Sequence, residues 1–167
     1  MIPINPDTDV AATGLQSGLG MGTEVLTLAG TLPIEHLTPG DRIITRDCGM
    51  AVLQELRVHT APGMAYSIRP DVLGRGRPET PVTMLANQRI LLRDWRAVAL
   101  FGYKEALVPV SRLADGHYIS PQDTTELRFF EMIFTEPHIL YAGGLELAAN
   151  GQDARREGML ADLQARD

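Results

Sequence analysis

The sequence is poor in the residues from which disulfides, metal sites and catalytic centres are usually built. Cys48 is the only cysteine, so the chain can form no internal disulfide, which suits a reducing compartment. Three histidines, His36, His59 and His117, are scattered, and no His, Cys, Asp or Glu stands beside them at the spacing of a metal site. We therefore expect no metal and no cofactor.

Basic charge and long apolar runs are also scarce. The chain has 15 Lys and Arg against 21 Asp and Glu and no basic cluster, so we expect no binding to nucleic acid or to anionic membranes. No apolar run approaches the roughly 20 residues that cross a bilayer. Residues 1–20 show no Lys or Arg before an apolar stretch, which predicts no signal peptide and a cytoplasmic protein. Secretion through an uncleaved C-terminal signal would leave no recognisable pattern in the sequence.

Differences in composition and the positions of Gly and Pro turns divide the chain into three parts. Residues 1–17 are rich in proline and small polar residues, which predicts an arm along the surface or a partly disordered one. Residues 18–150 contain many short apolar runs separated by Gly and Pro turns, which predicts one compact all-β domain of closed or partly closed topology. Residues 151–167 are charged and predict a short amphipathic helix that contacts a partner protein or a second copy. The apolar residues of that helix are Met159, Leu160 and Leu163.

Several strands can be predicted within the β domain. In residues 22–47 (GTEVLTLAGTLPIEHLTPGDRIITRD), apolar runs predict strands at 24–29 and 42–45, joined by a turn at Gly30, a short helical link and a TPGD turn. Residues 51–60 predict a strand with an irregularity at 54–55, or else a short helix. Residues 126–134 and 138–142 predict a late hairpin. We expect its aromatic residues to lie in the core: Phe129, Phe130, Phe134 and Tyr141.

The pattern GTxVLT…PIExLxPGDRIxTRD resembles the opening of a Hint domain of the bacterial type. This module is shared by inteins and the C-terminal regions of Hedgehog proteins. The resemblance continues through LANQRILLR at 85–93, EALVPVSRLADG at 105–116 and the late strands, and covers about residues 18–150. It implies a Hint-like β fold and the self-cleavage, or autoprocessing, for which the family is known.

The resemblance also shows which groups that chemistry would need. In Hint domains a Cys or Ser attacks the carbonyl of the preceding peptide bond, and a His protonates the leaving nitrogen. Here Gly18 occupies the nucleophile position, Gln88 the histidine position and Leu85 the Ser/Thr position before it. Glycine has no side chain, and glutamine transfers no proton near neutral pH. We therefore expect no catalytic residue, and a pseudoenzyme that acts as a binding or structural accessory domain.

Three residues remain as candidates for the missing chemistry. Ser17 fits only if the opening loop has one extra residue; the alternative function is then autoprocessing, in which an N-to-O acyl shift releases residues 1–16. His138 lies within one residue of a histidine in the late strands of the family. Asn150 lies near the position of the His-Asn pair that ends inteins, but without the His. Each residue also has an ordinary structural interpretation: Ser17 as part of a linker, His138 as a hydrogen-bonded residue at the rim of a strand, and Asn150 as part of a turn. Cys48 is interpreted as a thiol in a turn. The sequence contains no GxSxG or HExxH motif, so it offers no support for a hydrolase unrelated to the Hint family.

Overall fold

The structure is a computed structural model that describes residues 16–59, 62–124 and 127–151. The predicted C-terminal helix, with Met159, Leu160 and Leu163, and most of the predicted N-terminal arm lie outside these residues. The described part contains fourteen strands and one α-helix, which confirms the predicted all-β class. No helix in it is long and apolar enough to span a membrane.

The strands are short and follow one another closely along the chain. They are β1 Leu19–Gly20, β2 Glu24–Thr27, β3 Gly30–Pro33, β4 Arg42–Thr45, β5 Gly49–Val52, β6 Glu55–His59, β7 Ala65–Ile68, β8 Val82–Leu85, β9 Arg89–Leu92, β10 Ala106–Pro109, β11 Ile119–Gln122, β12 Phe129–Phe134, β13 His138–Ala142 and β14 Leu145–Gly151. The helix α1 is Trp95–Phe101, and 3₁₀ turns occupy Ile34–His36 and Val110–Arg112.

The sheet runs through the order β11-β7-β8-β1-β12-β14-β13-β2-β4-β5, with β3 on β2, β6 on β12, and β10 on β9, which itself pairs with β14. All pairs are antiparallel except β12 with β14. The two-residue strand β1 lies between β8 and β12, because Leu19 is in register with Met84 on one side and Phe130 on the other. The residue before β1 is thereby carried into the interior of the domain.

The opening stretch forms the two predicted strands and the TPGD turn, but β2 ends at Thr27, and Gly30–Pro33 form an additional strand, β3, paired with β2, where a turn and the start of a link were predicted. The strands β2 and β4 pair with Thr27 opposite Ile43, and the TPGD turn is closed by Asp41, whose N–H donates to Thr38 O at 3.0 Å. The Asp41 carboxylate accepts from the Thr38 N–H at 2.8 Å. Gly40 has φ +98°, a left-handed geometry that glycine adopts without a steric cost. The predicted pairing of the two early strands is confirmed.

The predicted late hairpin is wrong. The strands β12 and β13 do not pair with each other, because both edges of β12 are taken, one by β6 and the other by β1 and β14. The hairpin is instead β13 with β14 across Gly143 and Gly144, whose φ values are +61° and +80°. Positive φ at both central residues is the requirement of a type I′ turn, which suits the twist of paired strands.

Two further segments differ from their predictions. Residues 51–60 hold the end of β5 and then β6, which belong to different parts of the sheet, so the helical alternative is wrong. The break falls at Leu53, which is 1% exposed and whose N–H donates to Asp41 O at 2.8 Å. The helix α1 was not among the predicted elements. Asp94 caps it by accepting from the Arg96 N–H at 2.9 Å, a signal present in the sequence.

The core lies between the sheet's inward faces. Phe129, Phe130 and Phe134 are buried there as predicted, whereas Tyr141 is half-buried. Phe130 lies opposite Leu19 of β1, and both belong to the hydrophobic core, so the core adjoins Gly18, the residue before β1.

Candidate functional site

The site begins at Gly18, which immediately precedes β1. Its carbonyl accepts from the Leu85 N–H at 3.0 Å, so the backbone here is held against the end of β8. Its φ is +149°, and a Cβ placed on it would lie 3.0 Å from Phe130 O and 3.4 Å from both His59 Cδ2 and Leu85 Cδ1. A side chain at this position is strained by the backbone conformation and meets a fixed carbonyl. A nucleophile at residue 18 would therefore need both a strained φ and a shift of the neighbouring strand by a few tenths of an ångström.

Gln88 lies directly beside Gly18, at the end of the turn between β8 and β9. Its own N–H donates to Leu85 O at 2.9 Å and closes that turn. The side chain is 5% exposed, and its Oε1 accepts from the Gly18 N–H at 3.1 Å. Its Nε2 donates to Ala148 O at 2.8 Å and to Arg89 O at 3.2 Å. These bonds fix which end of the amide faces Gly18.

This contact has a direct chemical meaning. The Gly18 nitrogen belongs to the peptide bond that residue 18 would have to break, and it must gain a proton in order to leave. Gln88 instead accepts a hydrogen bond from that nitrogen and has no proton to transfer near neutral pH. The structure thus brings residues 18 and 88 together, as the resemblance implied, in a stable contact that lacks an acid.

Ser17 lies one residue before Gly18 and faces backbone rather than a base. Its hydroxyl donates to Asn87 O at 3.3 Å, and no histidine is hydrogen-bonded to it within the described ranges. The Gln16 carbonyl, which Ser17 would have to attack, accepts from the Asn87 N–H at 3.0 Å. The Gln16 side chain accepts from the Gly63 N–H at 2.8 Å. One backbone donor on the Gln16 carbonyl is thus present, but no base among the described residues is hydrogen-bonded to the hydroxyl.

A polar network that sequence reasoning missed borders Gly18. His59 Nε2 lies 3.2 Å from Glu131 Oε1, and the side chains of both residues are 12% exposed. Asn150 Nδ2 donates to Glu131 Oε2 at 3.0 Å. The residues come from β6, β12 and β14, so only the strand order could have shown that they meet. Asn150 therefore belongs to the site, although the intein-like histidine before it is replaced by Ala149.

The space among these residues is very small. Its volume is ≈ 10 Å³, about the least that holds one water molecule. It is lined by Ser17, Leu19, Gln88, Phe130, Glu131, Met132, Leu140, Leu147, Ala148, Ala149 and Asn150. A water molecule is therefore the largest species that this space admits.

Comparison with known proteins agrees with this geometry. The family model described as the Hint domain matches residues 18–149, which is most of the chain and begins at the glycine of the site. The chain belongs to the Hint domain family. No curated protein matches it in sequence.

Solved structures show the same fold at low identity. The solution structure of the bacterial intein-like domain from Clostridium thermocellum superposes with a TM-score of 0.56 at 12% identity, covering 81% of this Hint domain chain and 98% of that chain. The gp41-1 intein gives 0.51 at 13% identity, with 81% and 99% covered. The DnaB intein from Synechocystis sp. PCC 6803 gives 0.50 at 14% identity, again with 81% and 99% covered. At such identities the likeness concerns the fold alone.

His138 does not join the Gly18 site of this Hint domain. Its Nδ1 lies 2.9 Å from Asp47 Oδ2 and 3.6 Å from Cys48 Sγ, and its ring stands edge-on to Phe134. Burial raises the pKa of Asp47, but hydrogen bonds from the Ile139 N–H and from His138 outweigh it and leave the pKa below its usual value. The three side chains form a separate cluster at the turn between β4 and β5. No local sequence pattern indicates this cluster, because Cys48 and His138 are 90 positions apart.

Proposed function

We propose that this Hint domain has lost self-cleavage and serves as a binding or structural accessory domain. The observation that carries the proposal is the hydrogen bond of 3.1 Å from the Gly18 N–H to Gln88 Oε1. The reaction would have to protonate the Gly18 nitrogen. In this structure the N–H of that nitrogen donates to the Gln88 oxygen, which accepts a hydrogen bond and supplies no proton.

The loss concerns two groups that act together. A positioned general acid contributes on the order of 10²–10⁴-fold to such a step, and an acyl shift has no route without a nucleophile. Removing one member of a catalytic set removes most of the rate, so the second loss carries little further penalty. The framework that surrounds the two positions, β1, β8 and β14, is complete. A retained fold with both groups absent is what we expect of a domain kept for a purpose other than cleavage.

The surroundings of Gly18 support the same conclusion. The contact of 3.0 Å between a Cβ at residue 18 and Phe130 O involves backbone in a central strand, which a side-chain rotation cannot relieve. A single substitution at Gly18 is therefore not expected to restore activity.

The test of this proposal is the intact mass of the purified chain. We expect the full-length mass of 18.3 kDa to persist during prolonged incubation, with and without added thiol. A product that lacks residues 1–16 or 1–17 would contradict the loss of cleavage.

The second candidate function is autoprocessing through Ser17. One observation favours it: the Asn87 N–H that donates to Gln16 O at 3.0 Å could stabilise a developing oxyanion. In this reaction Ser17 Oγ bonds to the Gln16 carbonyl carbon, the carbon–nitrogen bond breaks, and the hydroxyl proton ends on the Ser17 amine. Water then hydrolyses the ester. The Ser17→Ala variant separates the two proposals, because autoprocessing requires the truncated product to appear in the parent chain and to vanish in the variant.

An accessory role requires a partner, and we propose that the apolar residues of the C-terminal segment provide the contact. Met159, Leu160 and Leu163 lie at helical spacing, outside the described residues. Light scattering after gel filtration tests self-association: we expect the parent chain to be larger than a variant with all three changed to Ser. Equal masses at the monomer value would rule out the homo-oligomer.

A further inference from the structure

A second cluster of chemically reactive side chains lies away from the Gly18–Gln88 site. It joins the turn after β4 to the first residue of β13 and contains one carboxylate, one thiol and one imidazole. Cys48 Sγ lies 3.6 Å from His138 Nδ1, which in turn lies 2.9 Å from Asp47 Oδ2. The three ligand atoms all lie within 4.8 Å of one another.

Each of the three side chains is held by groups outside the cluster. Asp47 Oδ1 accepts from the Ile139 N–H at 2.9 Å, which leaves Oδ2 directed at His138. The imidazole stands perpendicular to the Phe134 ring with centroids 5.6 Å apart, and its side chain is 13% exposed. The Cys48 N–H and Sγ both lie 3.3 Å from the hydroxyl of buried Thr45. The geometry is thus fixed before any ligand binds.

We propose that Asp47, Cys48 and His138 bind a zinc ion with three protein ligands and one open position. Zinc prefers tetrahedral coordination with bonds of roughly 2.0–2.1 Å to nitrogen and 2.3 Å to sulfur, which places those two ligand atoms roughly 3.6 Å apart. The Cys48 Sγ to His138 Nδ1 distance of 3.6 Å matches that edge. The carboxylate oxygen, at 2.9 Å from the same nitrogen, needs only a small rotation away from the ring.

The ligand types favour zinc over the hard cations. Thiolate and imidazole are softer donors than the oxygen ligands that Mg²⁺ and Ca²⁺ require. Binding needs the thiolate of Cys48 and a neutral His138 whose proton has moved from Nδ1, where it is donated to Asp47 in this structure, to Nε2, so that one thiol proton is released as the metal enters. Asp47 and Cys48 are exposed, which leaves the fourth position to water or to a ligand from solvent. This inference is independent of the loss of self-cleavage.

Cobalt substitution tests the site directly. Titration of the reduced, full chain with Co²⁺ should give a sulfur-to-cobalt charge-transfer band and the intense visible bands of tetrahedral cobalt, saturating at one equivalent and displaced by Zn²⁺. The Cys48→Ser variant should lose the charge-transfer band, and its affinity should fall by at least about 10–100-fold, the loss that changes to supporting residues alone produce. His138→Gln should fall similarly, and the matched control His36→Gln, at an exposed histidine of the first 3₁₀ turn, should match the parent.

A second readout follows the thiol. Zinc should slow the reaction of Cys48 with a disulfide reagent in the parent and in His36→Gln but not in His138→Gln. If His138→Gln does not fold, as judged by thermal unfolding, Asp47→Asn takes its place because that side chain is exposed. The proposal is overturned if Co²⁺ gives no charge-transfer band, if Cys48→Ser binds as tightly as the parent, or if zinc leaves thiol reactivity unchanged.

Discussion

The Gln88→Leu variant removes the hydrogen bonds that define the site while keeping a side chain of similar size. The Gly18 N–H then loses its acceptor at 3.1 Å, and Ala148 O loses its donor at 2.8 Å. Leaving a buried polar group without a partner costs about 1–3 kcal/mol. Two such groups, together with the longer bond of 3.2 Å to Arg89 O and partly offset by the added apolar surface, give a destabilisation of about 2–4 kcal/mol. For a domain of this size that corresponds to a fall in Tm of roughly 4–16 °C.

Urea unfolding at neutral pH measures the change as a shift in midpoint at constant slope. The matched control is Gln54→Leu, because Gln54 is exposed and its side chain makes one hydrogen bond, of 3.3 Å, to a nearby carbonyl. We expect the control to change stability by no more than about 0.5 kcal/mol. If Gln88→Leu is no less stable than Gln54→Leu, the Gln88 amide does not hold Gly18 in the way the structure shows.

Three further outcomes are expected. The double variant Gly18→Ser with Gln88→His should remain uncleaved by intact mass and lose about 1–3 kcal/mol from backbone strain at residue 18; cleavage at residue 18 would contradict this. Phe134→Ala should lose about 3–5 kcal/mol in urea unfolding, because the ring is fully buried. The interactions that lower the pKa of Asp47 stabilise the folded state at pH values above 3.8, the ordinary pKa, and stabilise it progressively less as the pH falls below that value. Asp47→Asn should therefore make the free energy of unfolding depend less steeply on pH in the acid range. An acid limb identical to the parent's would contradict that assignment.

The opening stretch could be predicted because its signals are local. The TPGD turn and the apolar runs on each side specify two strands and their connection within 26 residues, and β2 and β4 pair accordingly. The late hairpin failed because strand pairing depends on which edges are already occupied. Residues 135–137 connect two strands that have other neighbours, whereas Gly143-Gly144 is itself a type I′ turn signal that joins β13 to β14.

The site was predictable in part. The resemblance placed Gly18 and Gln88 in the right positions, and the structure brings them into contact. His59 and Glu131 could not be found, because β6 and β12 are adjacent only through the sheet order. The same holds for Cys48, which lies in the turn between β4 and β5, and His138, which begins β13; the two have no motif spacing. The contacts of such pairs depend on the whole topology, which no local pattern contains.

The most direct measurement of the central claim is a search for the acyl-shifted intermediate itself. Hydroxylamine cleaves an ester or thioester and leaves a hydroxamate on the residue whose carbonyl was attacked, which mass spectrometry of the N-terminal fragment detects. The account predicts that the treated chain yields no hydroxamate at Gln16 or Ser17 and keeps its full mass. A hydroxamate at Gln16 that is absent from the Ser17→Ala variant, or any hydroxamate at residue 17, would show that this domain still performs the acyl shift.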